Sequence, residues 1–228
     1  MELYAFPFAG GGEHCYRELE PYLTQAVLKT QALPGRGRLL NKPCLRRLDE
    51  LLDFLLAGIA FDLHKPYAFF GHSMGAFIAY MLTRKIIAYH LPAPKLLICS
   101  GRKAPTILDP DPKHVYPTAK FRAMLQELGG IPELVWQDED LMALFEPIIR
   151  ADFELIETTY YQTATPITLP IHLLLGRQDL ISNVDAYAWQ QETTLPLTVS
   201  YFPGGHFYFQ NDWQGLANKI NSILIASI

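Results

Sequence analysis

The stretch Tyr67-Ala68-Phe69-Phe70-Gly71-His72-Ser73-Met74-Gly75, continued by Ala76-Phe77-Ile78-Ala79-Tyr80-Met81-Leu82, decides how the chain is read. A short apolar run leads into a G-x-S-x-G pentapeptide, and a run suited to a buried helix follows. That order describes a strand, a sharp turn and a helix, with Ser73 at the apex as a nucleophile. Glycine at 71 and 75 fits such a turn, because a side chain at either flank would meet the adjacent strand or helix. The pentapeptide alone also occurs in ordinary strand-to-helix turns; its flanks favour the nucleophile.

Working outward, strand-like and helix-like segments alternate. The sequence predicts strands over residues 3–6, 27–32, 67–70, 95–100, 171–175 and 198–202. It predicts helices over 13–23, 48–56, after the elbow, and from about 211 to 226. In 48–56 the apolar residues recur at helical spacing and the carboxylates share one face. The short apolar strands suit burial on both faces, the pattern of a mostly parallel sheet covered by helices. The alternation therefore predicts an α/β doubly wound fold in one domain spanning residues 1–228.

One stretch breaks the alternation. Residues of about 104–166 contain no convincing strand, begin with a Pro- and Asp-rich loop, and carry helical patterns near 118–128, 138–145 and 147–161. Connections in compact domains have median lengths of only ~4–6 residues, so this insertion predicts a helical lid over the strand ends. Its apolar members, among them Phe121, Met124, Leu128 and Phe145, can pack the lid onto the core or line an acyl pocket. Periodicity does not separate the two.

The bulk numbers bound the partners. The chain has 228 residues, half of them hydrophobic and 18% charged, with net charge -4 and both signs interspersed. That excludes a disordered chain and a nucleic-acid footprint. Cys15, Cys44 and Cys99 are odd in number and far apart, which suits a reducing compartment and offers no zinc spacing. The N-terminus has no basic region or cleavage site, and no apolar run reaches the ~18–20 residues of a membrane span. The expectation is a cytoplasmic protein, monomeric by default, without nucleic-acid or membrane partners.

A serine nucleophile needs a base, and the base an orienting acid; on this topology the chain order is Ser, acid, His. His14, His64 and His72 precede Ser73 or adjoin it, and His90 and His114 fall outside a strand end. His206, in Pro203-Gly204-Gly205-His206-Phe207, follows the last strand at the carboxyl edge of the sheet and is the preferred base; His172, inside a strand, comes second. Asp179 ends the run Leu173-Leu174-Leu175-Gly176-Arg177-Gln178-Asp179 and is the preferred acid, with Asp185 its rival. The backbone N–H groups of Met74 and of Ala9, in Phe8-Ala9-Gly10-Gly11-Gly12, are the expected oxyanion donors. A phosphate-cradling turn fits that loop poorly: the third glycine of G-x-G-x-x-G is Cys15, and no Walker Lys-Ser/Thr follows.

Further motifs lie in order along nearly the whole chain: Phe6-Pro7-Phe8-Ala9-Gly10-Gly11-Gly12, Leu33-Pro34-Gly35-Arg36-Gly37-Arg38, Ser100-Gly101-Arg102-Lys103-Ala104-Pro105, Leu128-Gly129-Gly130-Ile131-Pro132, Ala151-Asp152-Phe153-Glu154 and Phe202-Pro203-Gly204-Gly205-His206-Phe207. With the elbow they resemble the type II thioesterases of nonribosomal peptide and polyketide synthesis, and the medium-chain acyl thioesterase of fatty-acid synthesis. The resemblance implies an α/β-hydrolase fold with a helical lid. It implies a Ser73–Asp179–His206 triad with Ala9 and Met74 as oxyanion donors, and neither metal nor cofactor. It also implies a substrate: an acyl or aminoacyl thioester on the phosphopantetheine arm of a carrier protein, removed to clear stalled or misprimed carriers. Two departures are Gly37, where the family often has an acidic residue, and a first strand starting almost at Met1. Other expectations remain: a free acyl-CoA thioesterase or carboxylesterase on the same triad, or a catalytically idle binding protein of this fold.

Overall fold

Alternation along the strands sorts their side chains into two cores. In β1 (Glu2–Phe6), Tyr4 and Phe6 face one layer while Leu3 and Ala5 face the other. In β3 (Tyr67–His72), Tyr67 and Phe69 join the first set and Ala68 and Phe70 the second. The remaining strands are β2 (Val27–Thr30), β4 (Leu97–Ser100), β5 (Ile171–Gly176) and β6 (Thr198–Phe202). Their spatial order is β2-β1-β3-β4-β5-β6, and every pairing is parallel. This computed structural model describes residues 1–107 and 109–227.

Helices α1 (Leu48–Ile59) and α2 (Met74–Ala88) cover the first face, and α7 (Trp213–Ile225) covers the second. On α1, Leu48, Leu51, Leu52, Leu55 and Leu56 are buried while Asp49, Glu50 and Asp53 are exposed, the spacing of an amphipathic helix. The edge strands β2 and β6 contain no fully buried residue, as expected where one side lacks a neighbour.

Between β4 and β5 the chain forms α3 (Thr118–Leu128), the single turn α4 (Glu133–Trp136) and α5 (Glu139–Glu157); the short α6 (Asn183–Tyr187) follows β5. The patterns near 138–145 and 147–161 belong to one helix, not two. Pro147 lies inside α5, where it lacks an N–H but its fixed φ remains helical. Asp138 caps that helix, accepting from the N–H groups of Asp140 and Leu141.

The expected helix over 13–23 is not α-helical. Its N–H groups bond three residues back, as in Cys15 to Gly12, Leu19 to Tyr16 and Leu23 to Glu20, and only Glu20–Tyr22 is regular, as a 3₁₀ turn. Pro21 removes one donor there, and the buried Tyr16 hydroxyl donates to the Phe6 carbonyl at 3.0 Å, tying the segment to β1.

The strand order reverses between β1 and β3: β2 lies on one side of β1, and the later strands on the other. In open parallel sheets the crevice at such a switch, beyond the carboxyl ends of the strands, is where ligands bind. The loop after β1 and the turn after β3 flank it.

Candidate active site

Ser73 sits between β3 and α2 with φ 54° and ψ -114°, a strained conformation for a residue with a side chain. The flanking glycines are required by contact: a Cβ on Gly71 would lie 2.1 Å from the Gly75 carbonyl oxygen, and one on Gly75 would lie 2.0 Å from that of Phe6. The Ser73 N–H donates to the Ser100 carbonyl at 2.8 Å, tying the turn to β4. Met74 opens α2, so its N–H is among the helix's unpaired first donors. Neither that N–H nor the one of Ala9 has a hydrogen-bond partner among the described residues.

Asp179 and His206 meet at the ends of β5 and β6. His206 Nδ1 lies 2.9 Å from Asp179 Oδ2, and both side chains are nearly buried. The Leu180 N–H also donates to Asp179 Oδ1 at 2.7 Å. Their loops are stitched together: the Gln178 N–H donates to the Gly204 carbonyl at 3.0 Å, and the Gly204 N–H to Gln178 Oε1 at 2.6 Å. Gly176 allows this approach, since a Cβ there would lie 2.1 Å from the Gly205 carbonyl oxygen.

Ser73, Asp179, His206 and Ala9 line one cavity of about 710 Å³, together with Met124 and Phe153 of the insertion. Among the described residues His206 Nε2 is buried without a partner, and no hydrogen bond joins it to Ser73. Such bonds often tighten only when substrate is bound. Asp185 lines the same cavity, but its carboxylate accepts from the Ser182 hydroxyl at 2.8 Å and makes no bond to His206. His172 is engaged elsewhere, its Nδ1 2.5 Å from Thr198 Oγ1 on β6.

His72 is the residue that sequence reasoning passed over. Its ring lies 4.6 Å from that of His206, and burial, with the neighbouring His206 charge, holds its pKa well below the ordinary histidine value. Neutral His72 is 2.9 Å through Nδ1 from Ser100 Oγ, which is 2.9 Å from the Tyr208 hydroxyl. The strand alternation through His72 was the available signal for its burial; nothing local pointed to the Ser100–Tyr208 chain. Gly101 packs against this ring so closely that a Cβ would lie 2.2 Å from His72 Cε1.

Similarity to known proteins places the chain in a family. The thioesterase domain family matches residues 1–224. The chain belongs to that family. This thioesterase is 32% identical over 213 residues to the gramicidin S biosynthesis protein GrsT of Aneurinibacillus migulanus, covering 91% of this chain and 82% of that one. It is 30% identical over 236 residues to thioesterase PikA5 of Streptomyces venezuelae, covering 100% and 82%. The crystal structure of ClbQ, from the colibactin NRPS/PKS pathway, superimposes with a TM-score of 0.92 at 27% identity, covering 99% of this chain and 97% of that one. The fold is that of the α/β-hydrolases, and the chain is a type II thioesterase, a hydrolase of thioesters.

Proposed function

We propose that this thioesterase hydrolyses acyl or aminoacyl groups from the phosphopantetheine arm of a synthase's carrier protein, with Ser73 as nucleophile. The observation that carries the reading is the Asp179–His206 hydrogen bond beside Ser73 in a single cavity. His206 takes the Ser73 proton, and Oγ attacks the thioester carbonyl. The N–H groups of Ala9 and Met74 stabilise the oxyanion. The C–S bond breaks, the thiolate leaves with the proton from His206, and an acyl-Ser73 ester remains. Water then gives a proton to His206 and attacks the ester, releasing the acid and restoring Ser73. Asp179 orients the imidazole and stabilises its charged form without accepting the proton. The steps use no metal or cofactor; phosphopantetheine belongs to the substrate.

The substrate assignment is supported by the pathways named for GrsT and ClbQ. We further propose that residues of about 104–166 act as a lid over the acyl chamber, within one domain spanning 1–228. The enzyme would work as a cytoplasmic monomer that meets its carrier transiently; no helix among the described residues is long and apolar enough to cross a membrane. The test compares hydrolysis of one acyl group on carrier protein, on coenzyme A and as a simple ester, with fluorophosphonate labelling of Ser73. Preference for the carrier substrate with labelled Ser73 is expected. Equal or higher kcat/KM on coenzyme A or ester would overturn the carrier assignment, and an unlabelled, folded protein would overturn the nucleophile.

A further inference from the structure

One buried ion pair borders the proposed oxyanion hole and takes no part in the steps above. Arg36 and Asp152 are 6% and 2% exposed. They pair through two bonds, Nη1 to Oδ2 at 2.5 Å and Nη2 to Oδ1 at 2.7 Å. Asp152 Oδ2 also accepts from the Gly10 N–H at 2.8 Å, and Arg36 Nη1 donates to the Gly11 carbonyl at 3.3 Å. Three segments distant in sequence thus converge: the loop after β1, the turn after β2 that carries Arg36, and α5. Ile149, one turn before Asp152, presses on the same glycine, where a Cβ would lie 2.8 Å from Ile149 Cγ1. Gly10 has φ +80°, a conformation that suits glycine.

A buried ion pair is by itself weak evidence of a stabilising role, because packed apolar residues often serve as well. This pair does something an apolar pair cannot: it fixes the direction of a backbone N–H. The peptide plane that carries the Gly10 N–H adjoins the one that carries the free Ala9 N–H. We infer that α5 is a working part of the oxyanion hole, with Asp152, held by Arg36, a positioning residue that clamps Gly10 and so aims the Ala9 N–H. The inference rests on the proposed role of Ser73 and Ala9. It makes the insertion responsible for rate as well as for coverage of the chamber.

Asp152→Ala strands a buried guanidinium and endangers the fold. The principal variant is therefore the double substitution Arg36→Met with Asp152→Val, which removes both charges and leaves the Gly10 N–H without an acceptor. Arg36→Met with Asp152→Asn, which keeps an oxygen for that N–H and strands no guanidinium, is the rescue. The readouts are kcat and KM on an acyl-phosphopantetheine thioester, and the affinities of an alkyl trifluoromethyl ketone and of the matching carbinol. The ketone forms a tetrahedral oxyanion on the serine; the carbinol does not. Losing one well-aimed oxyanion donor costs on the order of 10²–10³ in kcat, so misaiming it in the principal variant is expected to cost roughly 10–10². Ketone affinity should fall in proportion, with KM and carbinol affinity little changed and the rescue variant in between. A folded principal variant with wild-type kcat and wild-type ketone affinity, whatever its melting temperature, would overturn the inference. If wild-type Ser73 takes up no fluorophosphonate, the underlying mechanism falls first, and the inference with it.

Discussion

The carboxyl edge of the sheet and the α3–α5 insertion are held by different forces. At the edge, Ser73 and Asp179 follow the largely buried strands β3 and β5, His206 follows the edge strand β6, and glycines let the loops touch. In the insertion, Phe121, Leu125 and Ile149 form a small separate apolar cluster, and Leu155 of α5 joins the main core. Charged contacts add to these: Glu146 bridges Arg122 Nε at 2.8 Å and Arg150 Nη2 at 2.8 Å, and Glu157 accepts from the backbone N–H groups of Lys113 and His114. The difference separates two tasks. Reacting groups need fixed geometry, which a close-packed sheet supplies. The proposed lid can be built with more polar contacts, provided it seats the loop after β1.

Substitutions at the edge should remove chemistry and leave the fold. Ser73→Ala is expected to lower turnover on an acyl-phosphopantetheine thioester by on the order of 10⁴–10⁶, with unchanged melting temperature. Near-normal turnover would place the nucleophile elsewhere. Asp179→Asn should cost roughly 10³–10⁴ in kcat, because the amide no longer holds the imidazole in the required tautomer. Asp185→Asn should cost far less, since its carboxylate bonds to Ser182 and not to His206. The reverse ranking would transfer the acid's role to α6.

Glu146→Gln probes the insertion. It takes the charge from a carboxylate shared by two guanidinium groups, at an expected cost of about 1–3 kcal/mol. Limited proteolysis should then cut residues 118–157 sooner than the sheet, while Ser73 still accepts a fluorophosphonate. If cleavage is unchanged, the ion pairs do not hold these helices and the contrast with the sheet fails.

The same contrast explains what the sequence makes legible. The central strands announce themselves because burial on both faces demands unbroken apolar runs, and the turn at Ser73 because steric limits at Gly71 and Gly75 admit no other residue. Chain order and strand ends bring forward Asp179 and His206, which lie 2.9 Å apart in the structure. Helix 13–23 misleads because Tyr16 and Leu19 have the apolar spacing of a helix, whereas tight turns and Pro21 shape the backbone. Pro147 divides in sequence what tertiary packing keeps as one helix. Least legible are the contacts at long separation: Arg36 and Asp152 stand in separate motifs, and only the fold brings them to Gly10.

The smallest expected effect concerns acid, and it falls on the sheet. Burial, with a lesser contribution from Lys219, lowers the pKa of His172 to about 4, against an ordinary 6.5. Between those values the unfolded chain binds a proton that the folded protein does not, so folding stability falls as pH falls through this window. Above about pH 6.5 His172 is neutral in both states and the stability it contributes is complete; below about pH 4 both states are protonated and its loss levels off. Solvent screening at this half-buried site keeps the loss below about 2 kcal/mol. His172→Gln keeps a polar partner for Thr198 and removes the titration. Its melting temperature should therefore fall less steeply than the wild type's from pH 6.5 to 4, with the remaining slope including the contribution of the fully buried His72. Identical slopes in the two proteins would show that His172 is as readily protonated in the folded sheet as in the unfolded chain, and that acid acts elsewhere.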